Sequence, residues 1–110
     1  MKRGDIFTAA GGLGYTGKPR PVIIFQDMAL ATGSVIVIAV TSNYVEAPDI
    51  RVYLPPGAET GLRLPSWAMA EKISAIPKEK LDTVAVGSVS AKILRQIDAA
   101  VIVATGIAAR

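Results

Sequence analysis

The stretch Lys18-Pro19-Arg20-Pro21-Val22-Ile23-Ile24-Phe25 sets a permanently charged guanidinium at the mouth of a continuous apolar run. Pro21 to Gln26 is rich in β-branched residues, long enough for a buried strand and too short for a helix. The prolines on either side of Arg20 fix their own φ and stiffen the backbone that aims its side chain. Upstream, Ala9 to Pro19 holds four glycines and a proline in eleven residues with no apolar periodicity, which reads as a loop. Downstream, Thr32-Gly33 turns the chain into Ser34 to Thr41, a second β-branched run. Short buried strands punctuated by turns therefore set the fold class.

The flanks agree. Asp5 to Thr8 reads as a short opening strand. At Asp49 to Leu54, Ile50, Val52 and Leu54 alternate with Asp49, Arg51 and Tyr53, and Pro55-Pro56-Gly57 ends the strand. Gly61 to Ile76 is extended with an interruption at Pro65, Pro77 to Leu81 is one helical turn, and Thr83 to Val89 is a last short strand. Ile93, Leu94, Ile97 and Val101 then recur at helical spacing, with Ser90 as N-cap and Gly106 as stop. Strands and helices do not alternate, which excludes a parallel α/β sheet. The expectation is a mainly β chain, a small, twisted, partly closed barrel with helical additions and a C-terminal helix, forming a single domain over residues 1–110.

Of the 110 residues, 51% are hydrophobic and 19% charged, more apolar surface than a chain this small readily buries alone, and part of it is expected in a dimer interface. No apolar run approaches the roughly 20 residues of a membrane helix. No secretory leader is evident, so a cytoplasmic protein is expected. Cysteine and histidine are absent, which rules out disulfides, thiolate metal sites and Ser-His or Cys-His nucleophile pairs. The nine acids are scattered, with none at ligand spacing, so neither a metal nor a cofactor is expected. The net charge of +3 leans toward an anionic partner.

Two motifs in the glycine loop mislead. Gly12 to Gly17 satisfies G-x-G-x-x-G, and Gly12 to Lys18 most of a P-loop. Both motifs bind phosphate by opening a helix. Here Pro19, Arg20 and Pro21 follow instead, and proline occupies the place of the magnesium-binding hydroxyl.

Two residues can carry chemistry. Arg20 is either a surface arginine paired with Asp5 or Asp27, or a planar fork for two phosphoryl oxygens. Thr41 and Ser42 end a buried strand; they either satisfy local backbone, or Thr41 donates to a developing phosphorane oxygen. Together Arg20 and Thr41 suit RNA cleavage by internal transfer, in which the ribose 2′-hydroxyl attacks the adjacent phosphorus and a 2′,3′-cyclic phosphate remains. Lys18, Arg51, Arg63, Lys72 and Lys78 can track the backbone of a single strand. Tyr15, Tyr44, Tyr53 and Trp67 can stack bases, although Trp67 sits among apolar residues and reads better as a core or dimer-interface residue.

In order along the chain, Arg3-Gly4-Asp5-Ile6-Phe7, Arg20-Pro21-Val22-Ile23-Ile24, Val40-Thr41-Ser42, Gly61 to Ser66, Glu71 to Ile76, Lys78 to Leu81 and Gly87 to Ser90 resemble the MazF/PemK (Kid) toxins. The resemblance implies an SH3-like barrel that forms a homodimer and cuts single-stranded RNA at short motifs without metal. It also implies a cognate antitoxin whose acidic C-terminal segment occupies the RNA groove. The family's arginine of the R-P-V motif falls on Arg20 and its active-site threonine or serine on Thr41. Ser74 stands where many relatives carry an arginine, and the histidine that some carry in the first loop is missing. A CcdB-like gyrase poison and a non-enzymatic binding module are the alternatives for the same fold; the first would tolerate Arg20→Ala.

Overall fold

The β-branched runs form strands in the computed structural model, which describes residues 1–10 and 18–107. Among these residues lie β1 (Asp5–Ala9), β2 (Arg20–Ile24), β3 (Ser34–Thr41), β4 (Arg51–Leu54), β5 (Ser66–Pro77), a 3-10 turn (Lys78–Lys80), β6 (Gly87–Ser88) and α1 (Ala91–Thr105). The strands make one antiparallel sheet in the order β4-β5-β3-β2-β1-β6. The glycine-rich segment 11–17, with Tyr15 and most of both misleading motifs, lies outside the described residues.

Side chains of a strand alternate between faces, so a run that is apolar throughout must be covered on both. Ile6, Ile23, Ile38 and Val40 point to one face and pack with Val52, Leu54 and Ala68 against Ile97, Ala100 and Val101 of α1. Phe7, Val22, Ile24, Val35 and Val37 point to the other, where Ile76 and Leu81 cover them. The helix is held at both ends. Ser90 Oγ accepts from the Ile93 N–H at 3.2 Å, and Gly106 ends it in the left-handed region. Arg3 donates twice to Asp98 of α1, at 2.8 and 2.9 Å, while lying over the ring of Phe25.

The sheet curls until the segment after β4 meets β6 at the far edge, a half-barrel. The Ser88 N–H donates to the Glu59 carbonyl at 2.9 Å. Glycine is required where these segments touch: a Cβ on Gly87 would lie 2.3 Å from the Thr60 carbonyl carbon and oxygen.

β5 departs from β3 once. Val37 pairs with Ser74 and Ile38 with Ile73, but Ala39 pairs with Met69, so Ala70, Glu71 and Lys72 fall within a single step of β3. Such a bulge bends the strand and re-aims its side chains.

Several expected boundaries move. β5 begins only at Ser66, after Pro65, which has no N–H to donate. β4 starts at Arg51 because the Ala47 carbonyl takes the N–H groups of both Ile50 and Arg51 in a turn. The strand expected over Thr83 to Val89 shrinks to Gly87–Ser88.

Gly87→Ala is expected to cost about 3 kcal/mol or more, since the clash is with backbone. Gly33→Ala, where an added Cβ meets nothing within 4 Å, is expected to be neutral or slightly stabilising. Urea midpoints of the two variants beside the parent check the contrast.

Candidate active site

A cavity of about 240 Å³ opens where β2 begins, β3 ends and β5 bulges, lined by Arg20, Ala39, Val40, Thr41, Asn43, Val45, Arg51, Met69 and Lys72. Three cations and a hydroxyl converge on it, and its lining contains no carboxylate.

Arg20 is the first residue of β2, paired with Ala9 of β1, which fixes its backbone in the sheet. It is half-buried, and its Nε is buried without an acceptor in reach while the residue keeps other contacts. The carboxylates considered as its alternative partners have bonds of their own. Asp5 Oδ1 takes Lys2 Nζ at 2.7 Å, and Asp27 Oδ1 accepts from the Ala29 N–H at 3.0 Å.

Thr41 ends β3, half-buried. Its Oγ1 accepts from the Asn43 N–H at 3.1 Å, a local turn bond that fixes the oxygen and leaves the hydroxyl proton available to donate. The two readings of Thr41, local backbone partner and cavity donor, are therefore compatible in one geometry.

Arg51 opens β4 opposite Met69. Its Nε donates to both oxygens of Glu71, at 2.9 and 3.1 Å, and its Nη2 donates to Oε2 as well. The Arg51 side chain is only 12% exposed, so this fork is set within the cavity wall. Burial pushes the Glu71 carboxyl up, but hydrogen bonding and the charge of Arg51 outweigh it and hold the pKa below its ordinary 4.5. Glu71 and Lys72 both belong to the bulge, which turns one toward Arg51 and the other into the cavity.

Of the residues singled out in the sequence, Arg20, Thr41, Arg51 and Lys72 meet here. Lys18, Ser42, Arg63 and Ser74 are exposed and do not line the cavity; Ser74 sits beyond the bulge, opposite Val37. Asn43, Val45, Met69 and Glu71 belong to the site without having been singled out for it. The signal for Asn43 was adjacency to Thr41; nothing local announced that Glu71 would hold an arginine twenty residues away.

A second cavity of about 190 Å³ adjoins the first and shares Val45 and Arg51 with it. Trp67 stands in its wall, outside both buried clusters, with the Tyr44 ring centroid at 5.2 Å and that of Tyr53 at 5.8 Å. Among the described residues no group of three or more acids is placed to hold a metal ion, and no helix is long and apolar enough to cross a membrane.

Residues 2–105 match the family described as PemK-like, MazF-like toxin of type II toxin–antitoxin systems. A probable endoribonuclease MazF of Mycolicibacterium smegmatis is 42% identical over 109 residues, 98% of this chain and 99% of that protein. Among solved structures, a mycobacterial endoribonuclease in complex with its cognate antitoxin superposes with a TM-score of 0.80 at 22% identity, covering 100% of this chain and 99% of that one. Mycobacterium tuberculosis toxin MazF-mt6 gives 0.78 at 21% identity over 93% and 96% of the two chains. At these identities the two structures establish a shared fold.

Because the Glu71 pKa is lowered on folding, its contribution to stability is present above the ordinary value of 4.5 and lost as pH falls through the lowered one. Glu71→Gln is expected to cost about 1 kcal/mol at neutral pH, discounted for partial exposure. The gap to the parent should close below the carboxylate range, which urea unfolding along a pH series measures.

Proposed function

The chain belongs to the PemK-like, MazF-like toxins of type II toxin–antitoxin systems, and from that premise we propose that it is a sequence-specific endoribonuclease that cuts single-stranded RNA without a metal ion. The observation that carries this reading is the cavity in which Arg20, Thr41 and Lys72 converge. A lining of three cations and no carboxylate suits a phosphodiester and repels a divalent cation.

The RNA supplies its own nucleophile. The 2′-oxygen gives its proton to water and attacks the adjacent phosphorus, the bond from phosphorus to the 5′-oxygen breaks, that oxygen takes a proton from water, and the products carry 2′,3′-cyclic phosphate and 5′-hydroxyl ends. Arg20 faces the phosphoryl oxygens and stabilises the charge that gathers on them, since its pKa is too high for ready proton transfer. Thr41, its oxygen held by the Asn43 N–H, donates a hydrogen bond to the same oxygens. Lys72 adds a second charge from the bulge. Arg51, clamped by Glu71, shapes the wall between the two cavities. DNA has no 2′-hydroxyl and is inert by this route.

The same reading includes a homodimer in the cytoplasm and a cognate antitoxin whose acidic C-terminal segment competes for the cationic cavity. It is supported by the antitoxin complex of the mycobacterial endoribonuclease and by the net charge of +3.

Purified protein incubated with a long defined RNA in EDTA should give discrete fragments bearing 2′,3′-cyclic phosphate, identified by primer extension and mass spectrometry. Arg20→Ala is expected to lower the cleavage rate by about 10²–10³, with Arg20→Lys a poor substitute, and Thr41→Ala by about tenfold or more. Intact RNA with folded parent protein, or full activity in Arg20→Ala, would overturn the assignment.

A further inference from the structure

The second cavity differs in character from the first. Its walls are Tyr44, Tyr53 and Trp67 with Val45, and its one carboxylate is Glu46. A phosphate would meet that carboxylate, three aromatic rings and Arg51, whose guanidinium Glu71 already engages, while the cavity beside it adds Arg20 and Lys72. The aromatic cavity instead suits a flat, uncharged group with a π-face. Tyr44 is 64% exposed and Tyr53 49%, so ring surface is open to solvent. The rings meet Trp67 edge-on or tilted, at interplanar angles of 61° and 58°, and are not stacked face to face with it.

Position decides what would fill it. Val45 and Arg51 line both cavities, so the aromatic site begins where the phosphate site ends. Tyr44 lies three residues after Thr41, and Trp67 pairs with Thr41 across β3 and β5. A strand held by its phosphate at Arg20 and Thr41 therefore brings a neighbouring base to these rings.

We propose that Tyr44, Tyr53 and Trp67 form a stacking subsite for one nucleobase flanking the phosphate held at Arg20 and Thr41, and that this subsite contributes to the choice of cleavage position. The inference rests on the endoribonuclease reading above and adds a base-binding site to it. Trp67 is the partly buried backstop, and the two tyrosines offer the accessible faces.

Trp67 is the only tryptophan of the chain, so its emission reports this subsite directly. A dye-labelled single-stranded oligoribonucleotide, 2′-O-methylated throughout so that it cannot be cut, is titrated into the intact protein. Anisotropy of the dye measures total binding, and tryptophan emission measures occupancy of the subsite. A series of otherwise identical oligonucleotides carries one abasic residue at each position in turn. Saturable quenching is expected, abolished when one position is abasic. Tyr44→Ala should weaken binding about tenfold or more, in the range of one lost stacked base, while Tyr44→Phe, which keeps the ring, stays near the parent. The tyrosine is exposed, so neither change threatens the fold. Binding by anisotropy with unchanged Trp67 emission, or Tyr44→Ala indistinguishable from the parent, would overturn the subsite and leave the nuclease reading standing. No anisotropy change at all would overturn both.

Discussion

Ala70, Glu71 and Lys72 occupy one step of β3, and the site depends on that break in register. In a regular ladder each of the three would face a β3 partner, Ala70 and Lys72 on one side and Glu71 on the other. Released from β3, they bend β5 at the end of the strand that carries Thr41. β4 spans the break: Arg51 pairs with Met69 just before it, and the Ala70 N–H donates to the Ile50 carbonyl at 2.9 Å. The cavity spans β2, β3, β4 and β5 beside the break, and the displaced residues supply its lysine and the carboxylate that clamps Arg51.

The rest of the fold makes such a break tolerable. Three lost ladder positions cost hydrogen bonds and twist, and a small sheet with one covered face would have little to offset them. Here both faces are covered, one by α1 and the other by Ile76 and Leu81. Ala70 itself stays in the helix-side core while its neighbours point out. The apolar excess that set the chain apart in composition is thus partly explained by two core layers around one sheet. The exposed Leu64, Val84 and Val86 add apolar surface that a second copy could cover.

What could be read from the sequence was local. Ser34 to Thr41 was bounded correctly because a β-branched run between Gly33 and a polar tail leaves no other choice, and Ser90 and Gly106 mark the helix because cap chemistry is local. β5 was blurred at its start because an extended segment before Pro65 has the composition of a strand without its pairing. Thr83 to Val86 is β-prone yet unpaired for most of its length, with Val84 72% exposed, because the curl reserves that edge for a glycine contact. At the site, Arg20 and Thr41 were legible as strand-end residues with reactive groups. The difference between Lys72, in the cavity, and Ser74, outside it, was not: β-periodicity puts both on one face, and only the bulge separates them. The departure that the resemblance implies at Ser74 therefore falls on a residue outside this cavity's lining.

The same bulge bears on how a chain without histidine could run the proposed transfer. Glu71 offsets much of the charge of Arg51, and the proposed transfer assigns the phosphate to Arg20 and Lys72. A phosphodiester carries one negative charge and the phosphorane-like transition state nearly two, and only the added charge counts toward rate. At about 4 Å and an effective dielectric near 20, each cation favours one added charge by about 4 kcal/mol, against about 1 kcal/mol in bulk water. Half-burial of Arg20 moves it toward the first figure. In the proposed transfer the gain over bulk water, about 3 kcal/mol for each of two cations, matches or exceeds the about 10²–10⁴-fold that general acid–base catalysis by an imidazole supplies. A fixed charge does this without changing its own protonation, which an arginine, unlike a histidine, is suited to do.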